Sequence, residues 1–256
     1  MSESKGHSLL PLCIDTSGSM GSVEGGPLRT ARLIARQVIT NLHANDEVAL
    51  FDVGDEPELI LPATCDKESA LRTLDRHILW RRFPGTFGGR GIRLHDTVYE
   101  GAEYLKTTPE GKQRVIAVVT DNETTPPNSR SATEALHEAL EADAVVVGLI
   151  AEGYVEELIT NWNKLVHGAV RAYAEETGGE VMWIKGGKEL LKISSLLDRL
   201  RTRYVLGYYP TNPQQDGKTR KIKLDLSPSA KEKYGKIKLI YRRRYSPAGN
   251  VANQSQ

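Results

Sequence analysis

The chain of 256 residues is short of cysteine, of long apolar runs and of any surplus of one charge, and each shortage removes a class of protein. Its two cysteines, Cys13 and Cys65, are too few for a disulfide framework or a cysteine-based zinc site. No apolar run approaches the roughly 18 residues that a membrane-spanning helix needs. The first such run, Leu9–Ile14, is also too short for a signal-peptide core and leads into Asp15. Lys and Arg total 34 against 33 Asp and Glu, and a net charge of +1 argues against a nucleic-acid coat or a membrane-surface polycation. The six histidines, at positions 7, 43, 77, 95, 137 and 167, show no paired metal spacing. The P-loop, the Gly-x-Ser-x-Gly elbow and the His-Glu-x-x-His helix are all missing.

What the sequence does contain is alternation. Strand-like runs occur at Leu9–Ile14, Val48–Val53, Leu59–Pro62, Val115–Val119, Ala144–Ile150 and Val181–Ile184. Several lack a two-residue period, as strands do when helices cover both faces of their sheet. Helical spacing lies between them: Leu28–Leu42 behind Pro27, a segment capped by Asp66 and running to Ile78, Ile92–Leu105, Ala135–Leu140, Val166–Glu176 stopped by Gly178-Gly179, and Lys188–Thr202. This order predicts an α/β fold: a doubly wound, mostly parallel six-stranded sheet with helices on both faces. After Thr202 the runs Tyr204–Tyr209, Lys221–Leu226 and Lys236–Tyr241 follow one another without helical spacing. Asn212-Pro213, Asp216-Gly217 and Ser227-Pro228 read as turns, so a C-terminal antiparallel β-meander is predicted. The expected division is an α/β domain over 1–202, a β extension over 203–247 and a frayed tail over 248–256.

In such a sheet, ligands sit beyond the carboxyl ends of the strands. The first strand runs straight into Asp15-Thr16-Ser17-Gly18-Ser19, where one carboxylate and two hydroxyls alternate on a turn. The strand Val115–Val119 ends in Thr120-Asp121, which brings a second carboxylate to the same edge, and Gly85-Thr86 offers a third hydroxyl. Two carboxylates and three hydroxyls are hard oxygen donors that suit Mg²⁺ or Mn²⁺ rather than zinc. With only two negative ligands such an ion stays electron-poor and open to a carboxylate from another molecule.

Asp15-Thr-Ser-Gly-Ser-Met fits the Asp-x-Ser-x-Ser signature, and the chain resembles the von Willebrand factor type A (vWA) domains, the family that carries the metal ion-dependent adhesion site (MIDAS). Residue by residue, the resemblance implies a metal held by Asp15, Ser17 and Ser19 of the first loop, Thr86 of Gly85-Thr-Phe-Gly-Gly-Arg-Gly-Ile-Arg-Leu, and Asp121 of Val-Val-Thr-Asp. The segments Leu94-His-Asp-Thr-Val-Tyr-Glu-Gly and Tyr204-Val-Leu-Gly-Tyr-Tyr-Pro resemble the VWFA-related acidobacterial subgroup. Aligned on that subgroup, Ile92 falls at the threonine position. The implied function is a non-enzymatic protein-binding module in which Mg²⁺ (or Mn²⁺ or Ca²⁺) accepts an Asp or Glu of a protein partner, with no nucleic acid and no direct membrane span. The alternatives are a Mg²⁺-dependent phosphatase-like hydrolase using Asp15 and a metal-free structural scaffold. Without an export signal the chain as written is expected in the cytoplasm, or is a shortened form of an exported or envelope protein.

Four further features have bland expectations. Cys13 is a buried, inert thiol, and Trp162 locks an extra segment onto the core. The loop from Asp121 to Arg130 is a binding rim or a plain surface loop. Arg242-Arg-Arg protects an edge strand or meets an acidic partner.

Overall fold

The computed structural model describes residues 2–3, 7–21, 26–54, 56–80, 92–109, 111–122, 128–151, 169–210, 212, 214 and 219–246. Its strands are β1 (Ser2–Glu3), β2 (Ser8–Asp15), β3 (Glu47–Val53), β4 (Pro57–Thr64), β5 (Gln113–Thr120), β6 (Val145–Ala151), β7 (Val181–Ile184), β8 (Tyr204–Val205), β9 (Arg220–Lys221) and β10 (Arg244–Tyr245). The helices are α1 (Pro27–Asn41), α2 (Lys67–Trp80), α3 (Leu94–Lys106), α4 (Ala132–Glu141), α5 (Ala169–Thr177), α6 (Lys192–Arg201) and α7 (Pro228–Tyr234). Six strands form one sheet in the order β4-β3-β2-β5-β6-β7, and every pair is parallel except β3 with β4. The predicted α/β sheet is therefore present.

The central strands are buried on both faces, which is why their sequences read as continuous apolar runs. Alternate residues serve two cores. Leu10, Leu12 and Ile14 of β2 pack with Ile34 and Val38 of α1, Leu74 of α2 and Leu196 and Leu200 of α6. Leu9 and Cys13 pack on the opposite face with Val98 of α3, Ala139 of α4 and Tyr173 of α5. Burial pushes the Cys13 thiol up to about 12, so it is inert as expected. Strand β2 has β3 on one side and β5 on the other, so the chain reverses its winding direction at the carboxyl ends of β2 and β5. A crevice opens at such a switch point.

Gly178 and Gly179 do stop α5, and they do more. Gly178 has φ of +78°, and a Cβ on Gly179 would stand 1.8 Å from the carbonyl oxygen of Val146 in β6. The obstacle is backbone in the middle of a sheet, so Gly179→Ala is expected to destabilise the fold by about 3 kcal/mol. The check is a urea unfolding curve whose midpoint falls while its slope is kept.

Three expectations need correction. The segment Lys188–Thr202 is not one helix: a short 3-10 turn covers Gly187–Glu189, Leu190 and Leu191 form a turn after it, and α6 starts only at Lys192. Leu191 is 70% exposed, while Ile193, Leu196, Leu197 and Leu200 are buried. The C-terminal region is antiparallel, but its ladders are two residues long: β8 pairs with β1, and β9 with β10. Lys236–Tyr241 forms no ladder, and Ser227-Pro228, read as a turn, opens α7, with the Ser227 hydroxyl accepting the Ala230 N–H at 3.2 Å. Serine followed by proline is a helix-start signal as well as a turn signal.

The arginine run does not await an external acid. Arg242 pairs with Asp143 in the turn between α4 and β6 (2.6 Å), while Arg243 with Glu175 (2.9 Å) and Arg244 with Glu176 (2.7 Å) fasten the C-terminal segment to α5. The Arg243 N–H also donates to the Glu176 carbonyl at 2.9 Å, away from any strand partner. Among the described residues no helix is long and apolar enough to cross a membrane.

Candidate functional site

Period-two alternation along β2 and β5 decides which way the site residues face. Cys13 points into the α3–α4–α5 core, so Asp15, two residues on, lies on that side of the sheet. Ile116 and Val118 point the same way, and Thr120 continues their series. The two side chains meet: the Thr120 hydroxyl donates to Asp15 Oδ2 at 2.6 Å. The other oxygen, Oδ1, accepts the Ser17 backbone N–H at 2.9 Å. Asp15 is fully buried.

After Asp15 the chain turns tightly. Met20 N–H bonds the Ser17 carbonyl at 3.1 Å, and the buried Met20 side chain plugs the loop into the core. Gly21 and Gly26 take positive φ (70° and 83°), which lets the backbone swing round into α1. The turn sets the Ser17 and Ser19 hydroxyl oxygens 3.2 Å apart. Ser17 is buried and Ser19 exposed, so this edge of the loop faces outward.

Asp121 follows Thr120 at the end of β5 and is near enough for its charge to act on Asp15. Burial first, and the Asp121 carboxylate second, push the Asp15 carboxyl from 3.8 up to about 7 against the hydrogen bonds from Ser17 and Thr120. Asn122 then adopts φ of 69°, a left-handed conformation that suits asparagine or glycine, and its N–H donates to the Thr120 hydroxyl at 2.9 Å. Farther on, Asp96 in the first turn of α3 accepts the N–H groups of Ser129 (2.9 Å) and Arg130 (2.7 Å), and Asn128 Oδ1 accepts that of His95 (3.0 Å). The returning end of the loop is thereby tied to α3.

The structure thus brings Asp15, Ser17, Ser19 and Asp121 to one edge of the sheet. Thr86 lies outside the described residues, as do Trp162 and residues 123–127 of the polar loop. Ile92, its rival in the subgroup alignment, is fully buried in the apolar core and offers no ligand. Among the described residues no three His, Cys, Asp or Glu side chains cluster. One pair of the expected donors, the Ser17 and Ser19 hydroxyls, can be compared with the spacing a small hard cation requires. Octahedral Mg²⁺ binds oxygens at about 2.1 Å, so neighbouring ligands stand about 2.9 Å apart. The Ser17–Ser19 separation of 3.2 Å needs little adjustment to match.

Sequence reasoning missed Asp52. This buried residue of β3 accepts the Thr16 hydroxyl on Oδ1, and His77 Nε2 of α2 lies 2.6 Å from its Oδ2. The available signal was an acid one position before the carboxyl end of a core strand.

The sequence model of the von Willebrand factor type A domain matches residues 10–123. No curated protein matches the chain. Among solved structures, BatB from Bacteroides thetaiotaomicron is 19% identical, with a TM-score of 0.56 over 76% of this chain and 98% of that one. An aerotolerance-related membrane protein from Bacteroides fragilis is 20% identical, with a TM-score of 0.55 over 77% and 100%. The manganese-loaded TRAP protein of Plasmodium vivax is 15% identical, with a TM-score of 0.53 over 77% and 74%. At these identities the likeness is one of fold.

Proposed function

We propose, from the premise that this chain carries a von Willebrand factor type A domain, that it is a metal ion-dependent protein-binding module and not an enzyme. Asp15, Ser17, Ser19 and Asp121 would hold a Mg²⁺-type ion, with Thr86 as the candidate for a further hydroxyl. The ion supplies an electrophilic position open to an Asp or Glu carboxylate of a protein partner. The observation that carries this reading is the Asp15–Asp121 pair: the fully buried Asp15 carboxyl lies within electrostatic reach of a second carboxylate, and among the described residues its hydrogen-bond donors, Ser17 and Thr120, are neutral. A divalent cation relieves the like-charge repulsion of such a pair. Manganese in the TRAP structure, which shares the fold, lends support to the choice of ion.

The residues divide the work. Thr120 and the Ser17 N–H orient the Asp15 carboxylate, Asp121 adds the second negative charge, and the serine hydroxyls ligate without adding any. Two negative charges leave a divalent ion attractive to a third.

Because the Asp15 carboxyl titrates at about 7, it carries a proton below that pH and must shed it to bind the ion. Apparent Mn²⁺ affinity is therefore expected to fall roughly tenfold per pH unit below pH 7 and to level off above it, as a property of the pair. Isothermal titration across this range checks the slope. The binding function itself is tested with acetate as the probe: it should lower the water-proton relaxation enhancement of the Mn²⁺-loaded chain. Acetate without effect on a loaded chain would remove the carboxylate-acceptor role.

A further inference from the structure

The loop at Asp15 is gripped from both faces of the sheet. On the α3 side the grip is Asp15 on Thr120. On the other side it is Thr16, the residue between the first two expected ligands. The alternation that sends Asp15 one way sends Thr16 the other, toward the core of α1, α2 and α6 that Ile14 joins. Strand β3 runs parallel beside β2, with Ile14 opposite Asp52 and Asp15 opposite Val53. Thr16 extends the ladder by one step, its N–H donating to the Val53 carbonyl at 3.2 Å, while its hydroxyl donates to Asp52 Oδ1.

Asp52 is itself held. It is 2% exposed, and its second oxygen is 2.6 Å from His77 Nε2, so the carboxylate is engaged at both oxygens and cannot turn freely. His77 comes from α2, whose Leu74 and Ala70 anchor it in the same core, and its own side chain is 29% exposed. A β-branched threonine has few χ1 choices, so fixing its hydroxyl fixes its backbone. That backbone carries Asp15 on one side and Ser17 on the other. Residues behind a metal's ligands commonly set their orientation in this manner.

We propose that Asp52, clamped by His77, is a positioning residue for cation binding, acting through the Thr16 hydroxyl to hold Asp15 and Ser17 in ligating geometry. This rests on the metal-binding reading above. It assigns a task to a buried acid and a helix histidine that the expected ligand set does not include.

The test is Mn²⁺ affinity of the full chain, read from the free-ion EPR signal, for the wild type, Thr16→Val, Thr16→Ser, Asp52→Asn and His77→Gln. Thermal unfolding in chelator reports each variant's stability separately. Thr16→Val keeps the shape and loses only the hydroxyl; it and Asp52→Asn should bind Mn²⁺ about 10- to 100-fold more weakly. Thr16→Ser, which restores the hydroxyl, should return to within about threefold of wild type. The bound-ion EPR spectrum and water-proton relaxation should change in Thr16→Val, as water replaces a displaced ligand; a purely structural role would leave both as in the wild type. Should the two core variants fail to fold, the half-exposed His77→Gln decides, with an expected weakening of about tenfold. Wild-type affinity in folded Thr16→Val, or in His77→Gln where that variant decides, overturns the inference and leaves the metal site standing. No Mn²⁺ binding by the wild type overturns both.

Discussion

Asp15→Asn is expected to abolish Mn²⁺ binding and at the same time to make the metal-free protein more stable, by about 2–4 kcal/mol near pH 8. Loss of binding follows from removing one of only two charged ligands. The gain follows from the position of the carboxyl. Its folded value of about 7 lies above the ordinary 3.8, because burial and Asp121 both oppose ionisation. Below about pH 4 the carboxyl is protonated whether the chain is folded or not, and it costs nothing. Between about 4 and 7 the unfolded chain releases the proton while the folded chain holds it, so wild-type stability declines as pH rises. Above about 7 the penalty is complete. Asparagine carries no charge and escapes it, so the two unfolding curves should converge near pH 4 and separate near pH 8. Saturating Mn²⁺ reverses the order, since only the wild type gains the binding energy. A variant less stable than wild type at pH 8 in chelator would show that Asp15 is not held against a second carboxylate.

The second large effect lies at the opposite edge of the sheet. Asp46, 3% exposed, accepts the N–H of Ser8 (2.8 Å) and of His43 (2.7 Å), together with Arg201 Nε (3.2 Å) and Nη2 (2.7 Å). It ties the start of β2, the turn before β3 and the end of α6 to one point. Asp46→Ala leaves a largely buried guanidinium and two backbone donors without their acceptor, and is expected to cost about 3–5 kcal/mol. Burial pushes the Asp46 carboxyl up, but the two N–H donors and Arg201 outweigh it and leave the group below its usual value. Its stabilisation is therefore present above about pH 4 and disappears as pH falls through the lowered value. Urea unfolding at neutral pH should show the full loss, and acid should narrow the gap. Mn²⁺ affinity of the folded variant should equal that of the wild type, because Asp46 stands at the amino ends of the strands.

Much of this architecture was legible in the sequence because it depends on local pattern. An apolar run without alternation means a strand covered on both faces, and Leu9–Ile14 and Ala144–Ile150 are such strands. Asp15, Ser17, Ser19 and Asp121 could be placed at one edge because strand direction alone puts the end of β2 beside the end of β5. What escaped was tertiary. The late start of α6 at Lys192, the exposure of Leu191 and the short reach of the C-terminal ladders depend on what lies against those segments, not on their own spacing. Ser227-Pro228 carried two meanings, and the helix won. Arg242–Arg244 found acids about 70 to 100 positions earlier in the chain, a pairing no local window contains. Asp52 was hidden for the same reason, since only the register of β3 on β2 sets it beside Thr16.

The central claim is that one small cation joins the loop after β2 to the end of β5. Crystals soaked in Mn²⁺, with anomalous diffraction at the manganese edge, test it most directly. The expected result is a single peak per chain, within about 2.3 Å of the Ser17 and Ser19 hydroxyl oxygens and in direct or one-water reach of Asp15 and Asp121. A saturating soak that places manganese elsewhere, or nowhere, would contradict it.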